Sequence, residues 1–95
     1  MKIAELMEKR NEILVVANRY GARKVRVFGS LARGESGRDG DVDFLVELEP
    51  GRSLLDVIAI KQDLEELLQR KVDVVTEGAV SPYIRSDIMS QAISL

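Results

Sequence analysis

The sequence predicts a mixed α/β (α+β) fold: a small mixed β-sheet with helices packed mainly on one face. Three observations predict it. Residues 41–48 alternate apolar and polar with a period of two, as a half-buried strand does. Residues 2–20 and 53–69 place apolar side chains at helical spacing instead. Gly, Pro and Ser residues stand between these segments, where one element must stop and another start. No internal repeat, low-complexity tract or linker interrupts the chain, so residues 1–95 are expected to form one domain.

Residues 2–20 read as one amphipathic helix, with Ile3, Leu6, Met7, Leu14 and Ala17 at helical spacing and Gly21 suited to the C-terminal cap. Lys24 to Phe28 reads as a short strand, with Val25 and Val27 on one face. Gly29-Ser30 begins a tight turn into one helical turn over residues 31–34, and a polar loop covers residues 35–40. Residues 41–48 are the clearest strand. Val42, Phe44, Val46 and Leu48 share one face, and Asp41, Asp43, Leu45 and Glu47 share the other.

Pro50-Gly51 marks a turn, and Ser53 with Asp56 forms a helix N-terminal capping pair. The helix that follows, residues 53–69, carries Val57, Ile60, Leu64, Leu67 and Leu68 on one side, as core or as part of a dimer face. Residues 71–76 read as a third strand, interrupted at Gly78. Ser81-Pro82 then supplies an N-cap followed by proline at the first helical position, and Ile84, Ile88 and Ala92 line a final short helix.

Composition narrows the chemistry. The chain has no cysteine and no histidine. That excludes disulfides, thiolate zinc sites, cysteine nucleophiles, histidine bases and Ser-His-Asp triads. Carboxylates, hydroxyls, Lys, Arg and backbone amides remain, and carboxylates suit hard cations such as Mg2+. Hydrophobic residues make up 45% but aromatic ones only 4%, so aliphatic side chains must fill a modest core. A core this small favours self-association or tight binding to a partner. The net charge of -2 and pI of about 5.2 argue against direct nucleic-acid binding, which rests on phosphate neutralisation. The longest apolar run, Ile13 to Ala17, falls far short of the roughly 20 residues of a membrane span. With no leader pattern at the N-terminus, a cytoplasmic location is expected.

The chemistry concentrates in residues 27–46. Asp41 and Asp43, two apart on a strand, point the same way about 6.5–7 Å apart at the backbone. Side chains converging from that spacing can hold metal ions. Asp73 interrupts the apolar run Lys71-Val-Asp-Val-Val75, where an unpaired charge is costly to bury, so it is the candidate third ligand. Asp73 is also placed to take the proton of an attacking hydroxyl. Gly29 lets backbone approach a phosphate closely, and Ser30 offers a hydroxyl and a free amide. Arg33 adjoins this turn and is a candidate phosphate contact.

Gly29-Ser30, ten residues, then Asp41-Val42-Asp43 resembles the signature of the DNA polymerase β-like nucleotidyltransferase superfamily. The chain is most similar to its minimal nucleotidyltransferases, the MNT proteins. The likeness continues through Glu49 to Asp56, Lys71 to Val75 and Ser81 to Arg85, and so covers most of the sequence. It implies a nucleotidyltransferase fold and transfer of AMP from ATP to a hydroxyl, with release of pyrophosphate and help from two Mg2+ ions. Asp41, Asp43 and Asp73 are the implied metal ligands and catalytic residues. Gly29 and Ser30 are the implied holders of the triphosphate. Such proteins are commonly antitoxins of HEPN-domain ribonuclease toxins, silencing them by adenylylating a tyrosine. The family often has Ser before the first Asp, whereas this chain has Gly40.

Singly, these features have plainer readings. A lone Asp-x-Asp is usually a solvated strand end, a lone Gly-Ser is usually a turn, and Asp73 alone suits an ion pair with Lys71 or Arg70. Arg38 reads as a surface residue, as do Glu35 and Glu47 unless they support the site from behind. Tyr83 reads either as a base-stacking ring or as helix packing. The joint spacing on predicted strands favours the metal–nucleotide reading. A rival reading from another class is an antitoxin that neutralises its partner by binding alone. A metal-dependent phosphatase fits less well, because Phe44-Leu45 follows the pair where such enzymes have Gly-Thr. Transfer to a small molecule lacks an acceptor-binding domain.

Overall fold

The computed structural model describes residues 1–35 and 41–95. Helices α1 (Ile3–Glu8) and α2 (Arg10–Arg19) lead into strand β1 (Ala22–Phe28) and the short helix α3 (Gly29–Ala32). Strand β2 (Val42–Leu48), helix α4 (Leu54–Leu68) and strand β3 (Val72–Thr76) follow. A 3-10 turn at Glu77–Ala79, helix α5 (Pro82–Gln91) and strand β4 (Ile93–Ser94) complete the chain.

The four strands form one mixed sheet in the order β3-β2-β1-β4. β1 runs antiparallel to both β2 and β4, whereas β3 is parallel to β2. The parallel pair needs a long crossover, and α4 provides it. The start of α4 is fixed as the sequence predicts: the Ser53 hydroxyl accepts the Leu55 N–H at 3.2 Å, and the Asp56 carboxylate accepts the Ser53 N–H at 3.0 Å.

One face of the sheet is fully covered. Val27, Val42, Phe44 and Val46 point from the strands to meet Leu6, Ile13 and Ala17 of the first two helices and Ile60 and Leu64 of α4. All nine are at most 1% exposed. The alternation predicted for residues 42–48 is therefore the alternation observed. The opposite face is only partly covered. Leu45 is buried there beside Val80, Ile88 and Met89, so α5 crosses the face away from the main helical layer.

Several sequence expectations change in detail. The helical turn predicted over residues 31–34 begins at once after β1, as Gly29–Ala32, so Gly29 and Ser30 lie inside it rather than ahead of it. The helix predicted over residues 2–20 is two helices, because Lys9 leaves helical geometry at φ -99°, ψ 11°. Its N–H still bonds to the Leu6 carbonyl at 2.9 Å and its own carbonyl accepts the Ile13 N–H at 3.0 Å. Both backbone groups of Lys9 itself therefore stay paired through the break. The final helix stops at Gln91, where Ala92 turns extended and Ile93–Ser94 pair with Val27 and Arg26 as an edge strand. Tyr83 neither packs nor is covered: it is 94% exposed. Arg38 and Gly40 lie outside the described residues. No helix among the described residues is long and apolar enough to cross a membrane.

Candidate functional site

The partly covered face carries the predicted carboxylates. Antiparallel register sets Phe28 opposite Asp43, and parallel register sets Asp73 beside Asp43 on the other side. Asp43 and Asp73, thirty residues apart in sequence, thus occupy adjacent strands one ladder spacing apart, about 4.8 Å. Asp41 sits just before β2 and is exposed. No ion pair links Asp73 to Lys71 or Arg70 among the described residues, so the plainer reading of Asp73 is replaced by its contact with Asp43.

The electrostatics follow from this crowding. Burial, then the negative charges of Asp73 and Asp41, push the Asp43 carboxyl up from 3.8 to about 6. A hydrogen bond shared with Asp73 adds to the rise, and the Arg33 charge opposes it. Two carboxyls at this spacing do not both ionise readily unless a cation joins them.

The turn after β1 presses against the same group. Gly29 opens α3 with φ +75°, a conformation open to glycine at little cost. A Cβ at this position would lie 2.3 Å from Asp43 Oδ2. The backbone thereby approaches the carboxylate more closely than any side-chain-bearing residue permits. Ser30 is half-exposed in the same turn, and its carbonyl accepts the Glu35 N–H at 2.9 Å, which curls the chain back after α3.

Arg33 follows at the end of α3. Its guanidinium forks onto Glu35, with Nε–Oε1 and Nη2–Oε2 both at 3.3 Å, and Nη1 donates to Gln91 Oε1 at 3.2 Å. Glu35 is thus the anion that Arg33 holds in the free chain, and it does so at the exposed surface where the sequence places it. Gln91 is a residue that sequence reasoning missed. It lies 58 positions from Arg33, and no local pattern marks the contact.

The donor set fits a divalent cation by its chemistry: oxygen ligands only, with repulsion at Asp43 for the cation to relieve. Among the described residues no three carboxylates are drawn together tightly enough to form a metal cluster unaided. What the fold brings together directly is the Asp43–Asp73 pair against Gly29, with Asp41 acting through its charge.

A family model of the nucleotidyltransferase domain matches residues 7–95. The chain belongs to the nucleotidyltransferase domain family. A Methanocaldococcus jannaschii relative, provisionally named a protein adenylyltransferase, is 36% identical over 95 residues, covering 100% of this chain and 99% of its own length. The protein adenylyltransferase MntA of Thermococcus cleftensis is 39% identical over 75 residues, covering 79% of this chain and 76% of its own. A solved structure provisionally described as a minimal nucleotidyltransferase superposes with a TM-score of 0.90 at 44% identity, covering 100% of this chain and 97% of that one. The same fold, at 18% identity and a TM-score of 0.71, occurs in a complex of a tri-AMPylated Shewanella oneidensis HEPN toxin with its MNT antitoxin, over 93% of this chain and 69% of that one. Nucleotidyl transfer is therefore the enzyme class of this family, and the sheet with its helical layer is the family's fold.

Proposed function

We propose that the chain is a Mg2+-dependent protein adenylyltransferase that acts as an antitoxin, moving AMP from ATP onto a tyrosine hydroxyl of a HEPN-type toxin. The observation that carries this reading is the juxtaposition of Asp43 and Asp73 against the backbone of Gly29. Relatives named as protein adenylyltransferases support the transferred group, and the fold shared with an MNT antitoxin supports the partner.

Asp41, Asp43 and Asp73 would hold the metal ions, which when bound offset charge on the phosphates and align them. Gly29 admits a phosphate close to the backbone, and Ser30 donates its hydroxyl and amide to the phosphate oxygens. Arg33 turns its guanidinium from Glu35 to the triphosphate. Asp73, exposed at the rim, accepts the proton of the attacking phenol. The phenolic oxygen then bonds to the α-phosphorus as the bond to the β-phosphate bridging oxygen breaks, and pyrophosphate leaves.

The test combines purified chain, α-labelled ATP, Mg2+ and a HEPN-type toxin, beside an Asp41→Asn/Asp43→Asn chain. Label on the toxin that disappears with the double variant is the expected result. A toxin left unlabelled, yet neutralised equally by both chains, would establish the binding-only antitoxin instead.

A further inference from the structure

We propose that Tyr83 is itself an acceptor, adenylylated by the site of a second copy of this chain. The inference rests on the reading of the site as one that transfers AMP to tyrosine. The chain has two tyrosines, and their situations are opposite. Tyr20 packs against the core, and its hydroxyl donates to Asp63 Oδ2 at 2.9 Å. An acceptor there would have to give up both that bond and its packing. Tyr83 is 94% exposed on the first turn of α5. Its backbone is held by the Ser81 hydroxyl, which accepts the Tyr83 N–H at 3.3 Å, so the ring projects from a fixed base. The neighbouring Ile84 is 51% exposed and extends the apolar surface beside it. Arg85 lies two residues from Tyr83 and the exposed Asp87 lies one helical turn beyond it, so the phenol's neighbours in sequence carry one charge of each sign.

The fold places this phenol beyond its own site. The far end of α5 reaches the site region, where Gln91 meets Arg33. Tyr83 lies eight residues earlier, about 12 Å along the helix axis. A rigid helix cannot return the ring to its own carboxylates, so transfer occurs between copies. The Tyr83 phenolic oxygen bonds to the α-phosphorus of ATP held by the second copy, whose Asp73 takes the phenolic proton. The bond from the α-phosphorus to the β-phosphate bridging oxygen breaks, and pyrophosphate leaves.

A mixing experiment tests this. An Asp41→Asn/Asp43→Asn chain, unable to transfer, is the acceptor. A size-tagged Tyr83→Phe chain is the enzyme, with α-labelled ATP and Mg2+, and a HEPN-type toxin serves as acceptor in a parallel reaction. The expected result is label on the double variant, mapped by peptide mass to Tyr83, and none on the Tyr83→Phe chain. In wild-type chain incubated alone, Tyr20→Phe keeps the label and Tyr83→Phe loses it. A labelled toxin with an unlabelled chain, or label that survives Tyr83→Phe, overturns the proposal and leaves the proposed function standing. Absence of label on both toxin and chain from the wild-type enzyme overturns both.

Discussion

Along β2, Val42, Phe44 and Val46 lie wholly inside under α2 and α4, while their alternating neighbours Asp43 and Leu45 face the side crossed by α5. The first face is continuous apolar packing, aliphatic but for Phe44. The second holds one buried leucine, the Asp43–Asp73 pair, and Arg26 ion-paired to Glu77. The same seven residues thus serve two environments, because side chains alternate at each step. The difference teaches where a small domain can host chemistry. A carboxylate pair set into the covered face would be dehydrated without compensation, whereas under partial cover it stays close enough to water and cations to persist.

The comparison breaks most sharply at its chemical face. Asp73→Asn is expected to cut transfer by about 10²–10⁴-fold, the usual loss on removing a general base. Its circular dichroism and melting should stay near wild type, since Asp73 is exposed. A variant that keeps its rate would remove Asp73 from the site. On the covered face, Phe44→Ala should destabilise the fold by about 3–5 kcal/mol, read by chemical denaturation. That is a large part of the roughly 5–15 kcal/mol typical of a whole domain.

Gly29→Ala tests the seam between turn and site. The φ of +75° and the 2.3 Å approach to Asp43 should together cost about 1–3 kcal/mol and impair transfer. Gly34→Ala is the control: φ is +79° there, but no heavy atom lies within 4 Å of the new Cβ, so stability should fall with transfer retained.

Acidity gives a further contrast. Asp43 titrates near 6 when folded, above its ordinary 3.8, so between those values the native state binds more protons than the unfolded chain. The Asp43 contribution to stability is therefore greatest below pH 3.8 and declines as pH rises through 6. Asp43→Asn should abolish this decline in metal-free protein, and melting curves from pH 4 to 7 would register it. The smallest effect is expected at Glu35. Its exposed pairing with Arg33 is worth up to about 1 kcal/mol, so Glu35→Gln should lower the KM for ATP by at most roughly fivefold. A raised KM would show that Glu35 helps to hold the nucleotide rather than competing with it.

Much of this is legible in the sequence, for identifiable reasons. The β2 alternation, the Ser53/Asp56 capping pair and the α4 stripe of Ile60, Leu64 and Leu68 are local signals within a few residues of one another. Gly29 is legible as a turn, though not as the residue against which Asp43 packs. The break at Lys9 carries no Gly or Pro and leaves its hydrogen bonds made, so the pattern passes over it unmarked. β4 is two residues long, too short for a period to register.

By itself, then, the sequence determined the longer elements, the apolar faces and the types of residue available for chemistry, because periodicity and capping are written within single turns and strands. Only the tertiary structure decided that β3 lies parallel to β2 with Asp73 beside Asp43, that Gln91 reaches Arg33, and that Tyr20 is tied down while Tyr83 stands free. Those pairings span 30, 58 and 43 residues in the first three contacts, from Asp43 to Asp73, Arg33 to Gln91 and Tyr20 to Asp63. Contacts that distant are selected by how α4 and α5 pack onto the sheet, and no local pattern of residues carries that information.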